Sequence, residues 1–354
     1  MAKIGIVGNF GNWKCKGDGQ TIKTIELYDF LLKTYKDEVI YVDVDREIGI
    51  VTKIKKFFRV IKDSENVIVI LSYRGYMVLL PIIQFFNIFY KKPLYDFVIG
   101  GSRYQLLKRH KLLLKLQKNI TKIYVETNKL LNEYKKIGIN NCEVIPNFKK
   151  FEKIENINTQ KSRKDTQQIY TCTFTRVHND KGILDSINAV KLANKKLGKD
   201  LIKLDIYGAI SYDYEEEFKK IRTNFPSYIK YKGMANSSEA IKILQQYDIM
   251  LFLTFHPGEG FPGTIIDSFF SGLPIIATNW NSNGEIVEEN ITGNLVEVHD
   301  IEKVSDLIVK YYNEPDKLEF MSLNCIKKSK EYLPQTALKK FIGELEKNKN
   351  ERNL

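Results

Sequence analysis

Cysteine is scarce in this sequence. The four cysteines, Cys15, Cys142, Cys172 and Cys325, lie far apart and form no C-x-x-C pair. That spacing excludes a zinc knuckle or dithiol redox motif and suits a reducing cytoplasm. Long apolar runs are missing too: no stretch reaches the ~18 continuous residues of a membrane-spanning helix. The opening MAKIGIVGNFG has neither a long apolar core nor an A-x-A-like cleavage site, so it predicts a first strand and no signal peptide. The loop after it, GNFGNWKCKGDG, lacks the G-x-G-x-x-G spacing of a dinucleotide-binding turn, and Asp43 and Asp45 are a faint echo only. No nucleic-acid-binding motif accompanies the positive charge.

What is present points to two domains. The chain has 354 residues, 43% of them hydrophobic, enough for two separate cores. The formal net charge of +12 is uneven: residues 1–150 hold 27 Lys and Arg against 14 Asp and Glu, leaving 28 against 29 in the rest. An anionic partner for the first half alone is the implication, with a membrane surface, nucleic acid and a diphosphate-bearing substrate as the candidates. The Lys, Ile and Asn bias suggests an AT-rich bacterial genome.

Apolar runs of strand type alternate with helix-length segments. In the first half they are KIGIV, VIYVDV, NVIVIL, YDFVIG, KIYVET and CEVIP. In the second they are IYTCTFT, KLDIYG, YIKYKG, DIMLFLTF, PIIAT and GNLVEV. Such alternation predicts parallel sheets covered on both faces, with ligands beyond the carboxyl ends of the strands. The polar stretch around 151–168 reads as a linker, giving domains at 1–150 and 169–330 and a last amphipathic helix and tail over 331–354.

Two loops of the second half carry chemistry. HPGEGFPGT (256–264) follows an apolar run and precedes a helix expected to start at Pro262 or Gly263. Its glycines and the helix N-terminus suit phosphate oxygens. Glu259 and Asp267, eight positions apart, are unsuited to phosphate by charge and suited to accept from sugar or ribose hydroxyls. On spacing alone, a plain Gly/Pro-rich connection with an exposed acid fits equally well. TRVHNDKG (175–182) also links strand to helix, and Arg176 and Lys181 can present two cations to the same edge.

With those residues in place, the second half resembles the donor-binding domain of glycosyltransferase family 4. That family carries an R-x4-K pair, here Arg176 and Lys181, and an E-x7-E motif, here Glu259 to Asp267 with aspartate at the second position. The resemblance implies the GT-B fold, two doubly wound Rossmann-like domains facing a central cleft, and a retaining glycosyltransferase. It implies that Arg176 and Lys181 neutralise the donor diphosphate and that Glu259 contacts the transferred sugar; these three are the catalytic candidates. Asp267 would read the ribose, the Gly260, Phe261, Pro262, Gly263 and Thr264 main chain would hold sugar or phosphate, and the base would lie near Gly233 and Met234. The expected donor is a UDP-sugar, the transferred group hexosyl or N-acetylhexosaminyl, and the acceptor lipid-linked or a glycan, in bacterial capsule-type cell-surface polysaccharide synthesis. No cofactor and no metal are expected. A catalytically inactive partner of a membrane transferase and a sugar-nucleotide epimerase are the alternatives.

The first half departs from the family. Where many members have a histidine, FVIGGSRY places Gly100 and Gly101. His110, the only histidine of residues 1–150, falls in a helical pattern as a solvated position. Gly17, Gly19 and Gln20 after the first strand, and Tyr73 and Arg74 after the third, are the other candidates for the acceptor side of the cleft. VLLPIIQFFNIFYKKPL (78–94) predicts a buried helix, with an interfacial segment as the alternative. From Arg103 to Lys122 leucines alternate with seven cations and no acid. Read as one basic amphipathic helix, this stretch would contact an anionic membrane surface, and the protein would be cytoplasmic and peripheral at the inner face of the membrane. Alternatively its leucines pack on the sheet and its cations are merely solvated.

Overall fold

The computed structural model describes residues 2–11, 19–44, 50–151 and 168–352. The linker expected at 151–168 and the candidate Gly17 fall largely or wholly outside that range. Every apolar run named above as a strand is one. In chain order the elements are β1 (Ala2–Gly8), α1 (Gly19–Tyr35), β2 (Val39–Asp43), α2 (Ile50–Asp63), β3 (Ser64–Ile70), α3 (Tyr73–Tyr90), β4 (Leu94–Phe97), α4 (Arg103–Arg109), α5 (Lys111–Lys118), β5 (Lys122–Val125), α6 (Asn128–Lys136) and β6 (Cys142–Val144). The chain continues with β7 (Ile169–Phe174), α7 (Ile183–Leu197), β8 (Ile202–Tyr207), α8 (Glu215–Thr223), β9 (Ile229–Gly233), α9 (Ala240–Leu244), β10 (Ile249–Phe252), α10 (Gly263–Phe270), β11 (Ile275–Thr278), α11 (Asn283–Ile286), β12 (Gly293–Val296), α12 (Ile301–Asn313) and α13 (Pro315–Ser329). It closes with α14 (Pro334–Ala337) and α15 (Lys339–Arg352).

Two compact units result, residues 1–150 with 332–354, and residues 151–331. Each holds a six-stranded parallel sheet, in the orders β2-β1-β3-β4-β5-β6 and β12-β11-β10-β7-β8-β9. Both orders reverse direction once, between β1 and β3 in the first sheet and between β7 and β10 in the second. At such a reversal the loops leaving adjacent strands diverge to opposite faces and leave a crevice. The second is fixed in register by Ile249 opposite Thr171 and Met250 opposite Cys172.

In the first unit, α2 to α6 pack on one sheet face around Phe57, Leu80, Ile83, Leu107 and Tyr134. Helix α1 and the C-terminal helices cover the other. Leu338, Phe341 and Leu345 are buried there with Ile4, Phe10, Leu27 and Tyr124. Burying a side chain such as Phe341 contributes about 1.5–3 kcal/mol, which explains why the last segment belongs to the first unit. The sequence pattern alone shows it only as a separate helix and tail.

Two expectations fail. The 103–122 stretch is two short helices broken at His110, which is exposed. Arg103 is no surface cation: it is fully buried, with Nη1 2.8 Å from both oxygens of buried Asp96 and Nη2 donating to the Leu71 carbonyl. Burial would lower its pKa, but Asp96, Tyr134 and Tyr76 raise it further, so the guanidinium stays charged. A buried acid on β4 demands the nearest cation. Second, α3 is not a buried helix. Tyr76, Leu80 and Ile83 face inward, whereas Val78, Phe85, Ile88 and Phe89 are exposed.

Candidate functional site

The site of the second unit forms at the β7–β10 crevice. After β7 the chain runs extended past Val177, which pairs with Ile210, and enters a short turn at Asn179–Lys181. Gly182 then adopts a left-handed φ of +68°, and a Cβ there would stand 2.1 Å from the Leu253 carbonyl oxygen. Only glycine lets α7 start this close to β10. The Phe255 N–H donates to the Asp180 carbonyl at 2.8 Å and fastens the two loops together.

This closeness brings the predicted residues into contact. Lys181 Nζ lies 2.5 Å from Glu259 Oε2, both side chains largely shielded from water. The Thr254 hydroxyl is 3.1 Å from the same oxygen and 3.3 Å from the Asp180 carbonyl; with one proton it serves one of them at a time. Arg176 is exposed, and among the described residues its guanidinium has no ion-pair partner. The crevice therefore holds one committed cation and one available cation.

Sequence reasoning misses a second layer. The Asp180 carboxylate accepts from His178 Nδ1 at 2.5 Å and His256 Nδ1 at 2.6 Å, so one acid bridges both loops. Burial raises the Asp180 pKa, but hydrogen bonds from His256 and His178, together with their charge, outweigh it and hold the carboxyl below its ordinary 3.8. The Nε2 of His178 lies 3.4 Å from Asp213, and that of His256 lies beside Gly258. Behind His256, Trp280 Nε1 donates to its carbonyl at 2.9 Å, with Asn281 Nδ2 at 3.3 Å. The signal is present in TRVHNDKG; what the sequence does not show is that β7 and β10 are neighbours.

Helix α10 begins at Gly263, with Pro262 at the N-cap, where proline offers no side-chain acceptor. The Ile265 N–H donates to the Pro262 carbonyl at 3.1 Å, while those of Gly263 and Thr264 have no intrahelical acceptor and carry the positive end of the helix dipole. Phe261 is buried beside them, Gly260 precedes it, and Asp267 is buried one turn into α10. Gly233, at φ +81°, ends β9 and accepts from the Gly208 N–H at 2.9 Å, and Met234 beside it is exposed. They lie two strand spacings from β7, about 10 Å along the same sheet edge.

In the first unit, Tyr73 and Arg74 are exposed at the N-terminus of α3, beside the β1–β3 reversal, where Ser72 accepts from the Gly75 N–H. Gly19 and Gln20 open α1, and the Gln20 amide reaches the Ile70 carbonyl at 3.4 Å. Gly100, at φ +76°, donates its N–H to Glu126 Oε2 at 3.3 Å, with Gly101 next to it. Glu126 Oε1 in turn holds Lys23 Nζ at 2.7 Å, both residues buried. A buried acid–lysine pair thus underlies the loop where the resemblance leads one to expect histidine. Among the described residues no three His, Cys, Asp or Glu side chains are grouped to hold a metal ion.

Two parallel doubly wound sheets, the second with its ligand-type loops at the switch point, define a GT-B architecture. Residues 154–330, half of the chain, match the family described as Glycosyl transferases group 1, and the chain belongs to that family. Over 127 residues it is 32% identical to the GtfA subunit of the UDP-N-acetylglucosamine–peptide N-acetylglucosaminyltransferase of Streptococcus agalactiae, covering 35% of this chain and 23% of that protein. Over 163 residues it is 26% identical to an uncharacterised glycosyltransferase of Methanocaldococcus jannaschii, covering 45% of this chain and 40% of the relative. The matches thus span well under half of these curated relatives. The crystal structure of Anabaena HepE in complex with UDP is similar in fold, with a TM-score of 0.74 over 98% of this chain and 100% of that one, at 14% identity.

Proposed function

We propose that the chain is a retaining glycosyltransferase of the family 4 type, moving a hexosyl or N-acetylhexosaminyl group from a UDP-sugar to a lipid-linked or glycan acceptor. The observation that carries the reading is the Lys181–Glu259 pair at the β7–β10 crevice, with exposed Arg176 on the same loop. The UDP held by the HepE structure supports the choice of donor.

In this reading the donor diphosphate takes Arg176, the α10 N-terminus and a share of Lys181. Lys181 then turns from Glu259 toward phosphate, and Glu259 is left to accept from a hydroxyl of the transferred sugar. Asp267 accepts from the ribose, and the base extends toward Gly233 and Met234. The sugar C1–O bond to the diphosphate breaks and C1 bonds to the acceptor oxygen. The acceptor proton passes to a departing phosphate oxygen. The two cations stabilise the charge growing there, so the reading assigns no metal. Gly100, Gly101, Gln20, Tyr73 and Arg74 are proposed to serve the acceptor.

A screen of UDP-, GDP-, ADP- and dTDP-sugars for binding and slow hydrolysis tests the reading. Selective UDP-sugar binding, with transfer that persists in a metal chelator, is the expected outcome. Binding without turnover on any acceptor would assign an inactive partner instead. An isomerised sugar formed with no acceptor present would assign an epimerase.

A further inference from the structure

The outward faces of α2, α3 and α5 form an apolar ridge between two rows of cations. On α3, Phe85, Ile88 and Phe89 are 57%, 66% and 69% exposed and stand at i, i+3 and i+4, one stripe of the helix. The stripe is ordered by ring contacts. Phe85 meets Phe86 and Phe89 edge-on at 5.7 and 5.8 Å, and Phe58 of α2 meets Phe86 and Tyr90 at 5.7 and 5.8 Å. Ile54 and Phe58 on α2 and Leu112 on α5 extend the exposed apolar surface.

Cations frame this surface on both sides. Lys55, Lys56, Arg59 and Lys62 are exposed on α2, and Lys111, Lys115 and Lys118 on α5; both helices pack against α3. The acidic side chain in these three helices is Asp63, which lies 3.7 Å from Arg59. Exposed aromatics grouped like this mark a binding surface. Lysine is depleted in protein interfaces of ordinary composition. Here the seven exposed cations just named stand against the single acid Asp63, in a half of the chain that carries all of its excess charge. No helix of the described residues is long and apolar enough to cross a membrane, so the ridge can lie on a bilayer but not span it.

We propose that the α2–α3–α5 face seats on an anionic lipid surface, with Phe85, Ile88 and Phe89 in the interfacial layer and the lysines on headgroup phosphates. Of the Arg103–Lys122 stretch this keeps α5 in the membrane contact and removes Arg103, which is buried against Asp96, while α2 and α3 are added. The proposal does not depend on sugar transfer.

The full-length chain is sedimented with vesicles of phosphatidylcholine alone and of phosphatidylcholine with phosphatidylglycerol, at low and high salt. Binding to the anionic vesicles is expected to be about tenfold tighter or more, weakened by salt. Each of Lys111→Gln and Lys115→Gln is expected to weaken it about fivefold. The triple variant Phe85→Ser, Ile88→Ser, Phe89→Ser is expected to abolish it while UDP binding and the thermal unfolding midpoint stay put. Should that variant fail to fold, Phe89→Trp replaces it, with its added fluorescence blue-shifted and quenched by brominated lipid. Equal binding to neutral vesicles, an unaffected triple variant, or fluorescence of the Phe89→Trp variant that is blind to lipid overturns the proposal. So does a vesicle-free dimer that the triple variant dissolves, which would give the ridge to a second copy.

Discussion

Lys181 Nζ stands 2.5 Å from Glu259 Oε2 and joins the loop after β7 to the loop after β10. The two residues are 78 positions apart in sequence and meet because the two strands are neighbours. The pair holds a cation and an acid in readiness at the place where a doubly wound sheet opens to a ligand.

The two cations of that loop are expected to dominate turnover. Arg176→Ala and Lys181→Ala should each lower kcat/KM for sugar transfer by about 10²–10³, the usual loss when one preorganised charge donor is removed. Circular dichroism and thermal midpoint should be unchanged for Arg176→Ala, whose side chain is exposed. Near-wild-type rates in both variants would remove the functional reading.

Asp180 should confer a stability that depends on acid. Its folded pKa lies below the ordinary 3.8, so its contribution is complete above that value and drains away as pH falls through the folded pKa. As pH falls through the carboxylate range, the stability gap between wild type and Asp180→Asn should therefore narrow. Urea titrations across that range measure it; a gap that widens on acidification would contradict the bridge.

Gly182→Ala should damage both fold and site. Its Cβ would press on the Leu253 carbonyl at 2.1 Å, in a backbone conformation that alone costs on the order of 1–3 kcal/mol outside glycine. Chemical denaturation should show at least that loss, with UDP binding weakened in parallel. Gly198→Ala shares the φ of +68° with nothing near its Cβ and should show the backbone cost alone.

Asp96 anchors one of the buried cations of the first unit, Arg103. Asp96→Ala leaves the Arg103 guanidinium without its counter-ion and should cost about 3–5 kcal/mol of stability. Replacing both, as Asp96→Leu with Arg103→Met, should recover most of it, since a packed apolar pair often matches a buried ion pair. Equilibrium urea unfolding of the single and double variants checks the difference.

The strands are legible because strands of parallel sheets are rich in apolar and β-branched residues, and the twelve of the described residues all carry such a run, including β9 with its exposed lysines. The loops after β7 and β10 are legible because glycine or proline and charge are gathered there between a strand and a helix. Arg103 is not, because a run of cations and leucines does not reveal that Asp96, seven residues back, is buried on the interior strand β4. The 78–94 segment misleads because apolar content alone does not tell how much of a helix finds a neighbour. Glu126 and Lys23 give no local signal, being 103 positions apart.

The sequence by itself determined the doubly wound class, the place of the loops and the residue types gathered in them, since periodicity and turn chemistry are local. Tertiary structure alone decided which charges meet. It set Lys181 against Glu259, made Asp180 the bridge between His178 and His256, withdrew Arg103 into the core and left Phe85, Ile88 and Phe89 outside. Those outcomes depend on strand order and helix packing, which are set by the burial of the whole chain and not by any one stretch of it.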